Sequence, residues 1–304
     1  MALNTIEYAS KLQTGLDQKA VIDATSGWMD ENAGQVIYTG GKSIKVPTIS
    51  TTGLKDYDRD NGYPKGSVTL GYETLEMSMD RGTSFLLDAM DVDESNFMVS
   101  GANVTSEFQK DQVVPEIDAY RYSKLAAYAE SGNVVTYTPD KNTMLEALMT
   151  DIAAVKDIVG ENVPLVAVMN SLVKAQLDLL EPFKKVVDVM DFKKGDVTLK
   201  VNSINECSIL PVPSSRMKDT YTFNDGKSSG EENGGFAAGV SAKQMNWIIV
   251  PRSVPIAVTK QDKMKIIDPD TYQGGDAWFI GYRRYHELWV KANKKNQIRV
   301  SKQA

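Results

Sequence analysis

The chain has 304 residues, of which 42% are hydrophobic and 24% charged, as in an ordinary globular protein. Its formal net charge of −6 argues against a surface built mainly to neutralise phosphates. A single cysteine, Cys207, and a single histidine, His286, exclude an internal disulfide and any metal site that needs several Cys or His ligands. The N-terminal residues lack the basic and apolar regions of a targeting signal, and no apolar run is long enough to span a bilayer.

The first predicted element is an amphipathic helix within residues 3–24. Its apolar stripe has spacings of three and four residues and comprises Leu3, Ile6, Leu12 and Leu16. A single terminal helix cannot bury such a stripe alone, so we expect it to dock on its own body or on a neighbouring subunit. The four side chains are therefore candidate intersubunit contacts.

Residues 34–79 predict a long two-stranded antiparallel arm. Polar and apolar residues alternate over residues 35–39, 42–49 and 67–77, which is the pattern of half-buried strands. The connecting segment is rich in turn-forming residues, and an isolated hairpin is at best marginally stable in water, so we expect the arm to rest on another surface. Its charged tip supplies further candidate contacts: Lys55, Asp56, Asp58, Arg59, Asp60 and Lys65.

Residues 80–132 predict mainly helix. A short helix is expected around residues 85–90, and a longer one is expected to bend or restart at Pro115, because proline suits the first turn of a helix and disrupts its interior. The residues Ser131-Gly132-Asn133 should end it.

The rest of the chain predicts a compact α/β unit over about residues 140–250. The segment 224–235 has almost no apolar residue and four glycines, so we expect a mobile loop. Strands are expected at residues 134–138, 164–169, 198–201 and 208–212, helices at 143–159 and 171–180, and closing strands at 247–250, 256–259, 264–267, 278–284 and 288–292.

Signals for enzyme chemistry are weak. Gly41-Lys42-Ser43 matches the end of a phosphate-binding loop, but Val36 occupies the position of the first glycine of that motif. His286 stands without a nucleophile motif and is interpreted as structural, and Cys207 as a small buried hydrophobic residue.

Two acidic groups also favour plain structural interpretations. Asp56, Asp58 and Asp60 have the spacing of an EF-hand loop, but Asn61 and Ser67 replace the glycine and glutamate that the loop requires. A second acidic cluster is interpreted as a solvated face and consists of Asp88, Asp91, Asp93 and Glu94. We predict no catalytic residue, no metal and no cofactor.

Four short runs carry a family resemblance: MDRGTSFLLD (79–88), MDVDE (90–94), EFQ (107–109) and VVPEIDAYR (113–121). With the order of elements, they make the chain similar to the major capsid (coat) proteins of tailed bacteriophages, which have the Hong Kong 97-type fold. The resemblance implies an α+β fold with these divisions: N-arm 1–32, extended β-hairpin loop 33–80, peripheral domain with spine helix 81–138, axial α/β domain 139–246, and return strands with the C-terminus 247–304.

The resemblance implies a structural protein of the virion capsid and no enzyme. Such subunits self-assemble as hexamers and pentamers into an icosahedral shell around double-stranded DNA, which they enclose without sequence-specific binding. The resemblance also implies assembly in the host bacterial cytoplasm. The implied partners are a separate scaffolding protein, a portal and decoration proteins, and no membrane is involved. Some relatives cross-link a loop lysine to a neighbour; no residue of this chain can be matched to that role among Lys42, Lys45, Lys55 and Lys65.

Two alternatives remain open on the sequence. One is an encapsulin-like cellular compartment of the same fold, which loads enzymes instead of DNA. The other, of a different class, is a soluble α/β enzyme, whose support is limited to the α/β pattern and the isolated Lys42-Ser43 and His286 signals.

Overall fold

The fold is taken from a computed structural model that describes residues 24–36, 41–60, 62–94, 101–194 and 197–304. Within these ranges the helices are α1 (Ala89–Glu94), α2 (Gly101–Phe108), α3 (Val114–Tyr128), α4 (Met144–Val159), α5 (Ser171–Asp178) and α6 (Glu181–Val186). The strands are β1 (Ser43–Thr51), β2 (Val68–Glu76), β3 (Met79–Asp88), β4 (Val134–Thr136), β5 (Leu165–Asn170), β6 (Asp188–Lys194), β7 (Val197–Ile204), β8 (Cys207–Val212), β9 (Tyr221–Phe223), β10 (Phe236–Ala238), β11 (Met245–Pro251), β12 (Ile256–Ile267), β13 (Ala277–Trp289) and β14 (Arg299–Lys302).

The predicted antiparallel arm is confirmed. β1 and β2 pair in continuous register, from Ser43 opposite Glu76 to Thr51 opposite Val68, and form a sheet of two strands. The strand predicted over residues 35–39 is wrong at its start, because a 3₁₀ helix covers Gly27–Gln35 and carries two fully buried side chains into the core. Residues 37–40 and the predicted N-terminal helix lie outside the described residues.

The helix predicted over residues 85–90 is wrong for most of its length. Met79–Asp88 is a strand, and only the short helix α1 follows it. The Phe85 ring packs edge-on against Phe108 with centroids 5.0 Å apart, whereas Leu86 lies on the exposed opposite face. This alternation is that of a strand, and the consecutive apolar residues had concealed it.

β3 belongs to a sheet of three antiparallel strands in the order β12-β13-β3. Two long strands replace the four closing strands predicted between residues 256 and 292. The register of β12 and β13 shifts between Thr259 and Gln261. Such a bulge inserts one extra residue and reverses the alternation, so the sequence pattern breaks where the strand does not.

The predicted restart of the long helix at Pro115 is confirmed. α2 leads into one π-helical turn, Gln109–Val113, and α3 begins at Val114 with the proline in its first turn. Val113 and Ile117 of this helix pack on Met264 and Tyr282 of the three-stranded sheet. The helix thereby covers one face of that sheet and leaves the other face open.

The predicted α/β unit is built on a seven-stranded sheet in the order β4-β14-β11-β5-β8-β7-β6. Every residue of β5 and of β11 is buried. Their side chains alternate between two hydrophobic cores, so the sheet is covered on both faces. The helix α4 packs on one face and ends at Gly160, whose φ of +92° favours glycine.

Two strands cross the expected divisions of the chain. β4 pairs in parallel with β14 at the edge of the seven-stranded sheet, although it lies in the segment expected to form the peripheral domain. β11 spans the expected boundary between residues 246 and 247 and is an interior strand of the same sheet, next to the central strand β5. The β9–β10 hairpin, which the sequence did not predict, brackets the loop 224–235.

Candidate intersubunit surface

The root of the arm is fixed to the body by a small apolar cluster. Ile44 and Leu75, which face each other in the register, are buried against Ile256 and Trp289. The Trp289 indole Nε1 also donates to the backbone oxygen of Glu76 at 3.1 Å. The arm therefore leaves the body from a rigid base.

Beyond the root, the apolar side chains change to the other face of the arm. Successive strand residues point to opposite faces, so Ile49 and its partner Leu70 lie on the face opposite Ile44 and Leu75. These two side chains are 70% and 55% exposed, and Tyr72 beside them is 64% exposed. The distal arm thus presents an apolar face to solvent.

This face is larger than the three side chains alone. Pro47 lies directly opposite Tyr72, and the exposed Val68 opposite Thr51 extends the face toward the tip. A contiguous exposed apolar patch on a soluble protein commonly marks an interaction site. We call this set the arm face: Pro47, Ile49, Val68, Leu70 and Tyr72.

The six charged residues of the arm tip are all exposed: Lys55, Asp56, Asp58, Arg59, Asp60 and Lys65. The Lys55 Nζ donates to the backbone oxygen of Lys65 at 2.9 Å, and the Tyr57 and Tyr63 rings meet edge-on at 5.2 Å. The Asp58 carboxylate accepts from the Asp60 backbone N–H at 2.9 Å, which closes a turn. The tip has a defined shape with its charges turned to solvent.

A buried carboxylate ties the arm to the long helix. Glu287 of β13 accepts from both the backbone N–H and the hydroxyl of Ser78, at 2.9 and 2.7 Å, at the junction of β2 and β3. The Tyr120 hydroxyl of α3 donates to its other oxygen, and the Lys124 ammonium lies 3.7 Å away. Burial and then the bond to Glu287 raise the pKa of Tyr120 well above its ordinary value, so the phenol stays protonated. This network fixes the direction in which the arm leaves the body.

A second buried carboxylate anchors the N-terminal end of the described chain to the same helix. Asp118 of α3 accepts from the backbone N–H and the hydroxyl of Thr25, at 3.0 and 2.8 Å, and from those of Ser26, at 3.0 and 2.6 Å. Arg216 adds a fifth bond at 2.9 Å, and Arg121 pairs with Asp30 at 2.7 Å. The segment that carries Thr25 and Ser26 is therefore firmly held. The candidate contacts Leu3, Ile6, Leu12 and Leu16 lie outside the described residues.

Arg81 joins three distant parts of the fold. Its guanidinium pairs with Glu116 of α3, with its Nε 2.7 Å from the carboxylate. Its Nη1 and Nη2 donate to the backbone oxygens of Asn224 and Gly235, at 2.6 and 2.9 Å. Both ends of the loop 224–235 are thus held at the base of the arm, an attachment that the polar sequence of the loop did not reveal.

The residues considered for enzyme chemistry are not assembled into a site. His286 is buried, with its ring edge-on to Tyr120 at 5.5 Å, and burial followed by the Arg284 charge holds its pKa well below the ordinary value. Burial raises the pKa of Cys207 to about 12, which leaves the thiol unreactive. Gly41-Lys42-Ser43 leads into β1 and not into a helix, so the geometry of a phosphate-binding loop is missing there.

Across the described ranges, no three Asp, Glu, His or Cys side chains are grouped so that they could hold a metal ion. No helix in those ranges is long and apolar enough to cross a membrane.

The sequence did not single out the arm face, Asp118 or Glu287. For the arm face a signal exists in the alternation of apolar residues along both strands. In β1 the apolar residues move from even to odd positions after Val46, and in β2 they do so after Tyr72. For the two carboxylates there is none, since their partners lie far away in the sequence.

No protein-family model matches this sequence, and no curated protein matches it either. Solved structures do match over most of the chain. The asymmetric unit of the bacteriophage PhiM1 mature capsid is similar with a TM-score of 0.58 at 10% identity, over 87% of this chain and 82% of that one. The capsid of the cyanophage P-SCSP1u gives a TM-score of 0.55 at 11% identity, over 88% and 85%.

A virus-like particle from Pyrococcus furiosus covers still more of the chain. It is similar over 97% of this chain and 99% of that one, with a TM-score of 0.51 at 13% identity. The protein thus has the fold of proteins that build closed shells. The α+β, Hong Kong 97-type capsid fold expected from the resemblance is confirmed.

Proposed function

We propose that this protein is a structural major capsid protein that self-assembles, as hexamers and pentamers, into an icosahedral shell enclosing double-stranded DNA. The arm face carries the proposal. A hairpin that projects from a rigid root with its apolar side open to solvent is costly for a monomer and useful for a subunit that covers its neighbour.

The energy available from the arm face is considerable. Fully burying one large apolar side chain contributes ~1.5–3 kcal/mol, so covering the exposed parts of Ile49, Leu70 and Tyr72 contributes ~1 kcal/mol or more each. The contact is made once per subunit and repeated over a whole shell, so a modest energy per arm stabilises the assembly strongly.

The proposal assigns a role to each division of the chain. Residues 1–32 form the N-arm, 33–80 the extended loop, 81–138 the peripheral domain with the spine helix, 139–246 the axial domain and 247–304 the return strands. β4 joins the peripheral domain to the axial sheet, and β11 joins the return strands to it. The six tip residues of the extended loop and the apolar stripe of the N-arm are proposed to contact neighbouring subunits.

Further partners follow from the same proposal. The protein is a virion component assembled in the host bacterial cytoplasm, with a separate scaffolding protein, a portal and decoration proteins. Its net charge of −6 suits a container that holds DNA without gripping it.

Electron microscopy and sedimentation of the purified full-length chain test the function. We expect shells, tubes or capsomers from the unchanged protein and loss of assembly in Leu70→Asp. The matched control is Thr69→Asp, an exposed neighbour on the opposite face of β2, which should assemble normally. Both variants should melt like the unchanged subunit. A full-length protein that remains monomeric under all assembly conditions would contradict the proposal.

The N-arm is tested separately by deleting residues 1–23. Because the anchor at Thr25 and Ser26 is retained, the truncated subunit should melt within a few degrees of the full chain. Its assembly should be weakened more than its fold. Unchanged assembly after truncation would remove the N-arm from the proposed contacts.

A compartment that loads enzymes is the second candidate, favoured by the near-complete coverage of the Pyrococcus furiosus virus-like particle. The two candidates differ in the contents of particles purified from the native source. Nucleic acid of uniform length supports the capsid, and a single packaged protein supports the compartment.

A further inference from the structure

One end of the three-stranded sheet concentrates negative charge. The Ala89 backbone N–H donates to the oxygen of Asp276 at 3.2 Å, which brings the β3–α1 turn against the β12–β13 loop. No Lys or Arg occurs in residues 82–94 or 266–282. The described carboxylates of this end, here called the acidic end, are Asp88, Asp91, Asp268, Asp270 and Asp276. Of this group, the sequence singled out only Asp88 and Asp91.

The open face of the same sheet carries a basic groove of about 650 Å³. Gly82 and Gly281 form its floor, and its rims carry Lys263, Lys265 and Arg283. A Cβ at Gly82 would lie 2.7 Å from the backbone oxygen of Tyr282 on β13, so the close approach of β3 and β13 requires glycine there. At Gly82 the floor has no side chain, which leaves room for an incoming segment, whereas the Phe279 ring lies over Gly281 and makes that part of the floor apolar.

One of the three cations of the groove is paired with a carboxylate, and the two lysines differ from it. Arg283 pairs with Asp80 at 2.6 Å at one end of the groove. Lys263 and Lys265 are both exposed, and no salt bridge of either is found among the residues that the structure describes.

Among the described residues, no salt bridge joins the two charged regions within one subunit. Lys265 lies three residues before Asp268 along β12, and Lys263 five, so at ~3.3 Å per residue they are separated by ~10 to 17 Å. That exceeds the Debye length of ~8 Å at physiological ionic strength. One rigid sheet therefore carries both halves of a charge-complementary pair, at two different places.

The surface between them is apolar. Leu86, 58% exposed, lies on the groove side of β3 beyond Ser84, and Phe279 lies opposite it on β13. An apolar centre flanked by charges is the usual composition of a protein–protein interface. Binding of nucleic acid through its phosphate charges alone requires no such apolar centre.

We propose that the acidic end of one copy of this chain binds the basic groove of a neighbouring copy, in a head-to-tail contact centred on Leu86. The contact rests on the proposed self-assembly and adds to it a specific pair of surfaces. Head-to-tail contacts between identical subunits close into rings when the rotation permits, so this pair favours a cyclic cluster of sheets. Complementary charge sets the register of such a contact more than its affinity.

Charge reversal with rescue tests the proposal in the full-length chain. Lys263→Glu with Lys265→Glu should lower the yield of particles at least about tenfold, because like charges then meet at a contact repeated throughout the shell. Asp270→Lys with Asp276→Lys should do the same. The fourfold variant restores opposite charges and should recover assembly to within about threefold. The matched control is Lys141→Glu with Lys243→Glu, two exposed lysines outside the groove, which should assemble normally.

Each other outcome overturns the contact in a recognisable way. Normal shells from both double variants, or a well-folded fourfold variant without recovery, would refute it and leave the shell function intact. Recovery of the lysine variant by Asp58→Lys with Asp60→Lys would instead assign the groove to a neighbour's arm tip. Particles that form normally but lose nucleic acid would assign it to DNA. If the unchanged protein formed no particles, the proposed function would fail together with the contact.

Discussion

Replacing Asp118 by asparagine should detach the N-terminal segment from the long helix and destabilise the subunit. The carboxylate is completely buried and accepts five hydrogen bonds. Asparagine has nearly the same shape but offers only one acceptor oxygen. In either orientation its NH₂ group faces a backbone N–H, of Thr25 or of Ser26, which cannot rotate away.

The expected loss is about 3–5 kcal/mol. A buried backbone donor left without an acceptor costs ~1–3 kcal/mol, and the charge-assisted bond to Arg216 contributes ~1.5–3 kcal/mol. Together they amount to ~2.5–6 kcal/mol, a range that includes the ~3–5 kcal/mol typical of removing one partner of a buried ion pair. The hydroxyls of Thr25 and Ser26 can turn to accept, which keeps the loss from being larger.

Urea unfolding of the unassembled subunit, followed by tryptophan fluorescence, measures the effect. Trp28 lies in the anchored segment and is fully buried, so detachment of that segment alone should appear as an early transition that is missing in a Trp28→Phe background. The matched control, Asp157→Asn on the exposed side of α4, should stay within ~0.5 kcal/mol of the unchanged protein. If Asp118→Asn also stays within ~0.5 kcal/mol with the same slope, the anchor does not have the energy assigned to it.

Three further predictions concern other parts of the chain. The pKa of His286 lies below that of an unfolded histidine, so only the unfolded state takes up this proton just below pH ~6.5. The free energy of unfolding should therefore fall with decreasing pH by up to ~1.4 kcal/mol per pH unit. His286→Gln should remove this part of the slope in unfolding titrations. Arg81→Gln should speed trypsin cleavage after Lys227 several-fold, because both ends of that loop lose their bonds to the guanidinium and are held only by the β9–β10 hairpin; an unchanged rate would contradict this. Asp58→Lys with Asp60→Lys should leave the melting temperature nearly unchanged and make assembly fail or depend more on salt. Normal shells at low and at high salt would show that the tip is only a solvated loop.

Local periodicity was sufficient to predict the arm and the restart of the long helix. Two alternating runs separated by turn residues define a hairpin whatever surrounds it, and Pro115 determines where a helix can begin. The same approach failed at β3. Phe85, Leu86 and Leu87 are consecutive apolar residues, and only the partner surfaces, a helix on one side and the open groove face on the other, distinguish a strand from a helix there.

The anchors of the candidate surface were beyond sequence reasoning for a different reason. Asp118 and Glu287 each hold partners that lie between 92 and 209 residues away, and only the packed fold brings these together. A buried carboxylate in a helix or strand looks like an ordinary surface residue until its donors are known. The sequence indicated only the first half of the acidic end for the same reason, because its second half comes from a loop far along the chain.

The arrangement separates the energy of folding from the energy of assembly. The buried polar networks of Asp118 and Glu287 both include side chains of α3, so Thr25 and Ser78, at the base of the arm, are held by one helix. Among the apolar side chains that the fold leaves exposed are those of the distal arm and Leu86 on the open sheet face. Their burial is not part of the folded subunit, so it remains available to the neighbouring copy of the proposed assembly. Under the proposed function, such a subunit would fold first and associate afterwards with its contact directions already fixed, which is the order that a closed shell of many copies requires.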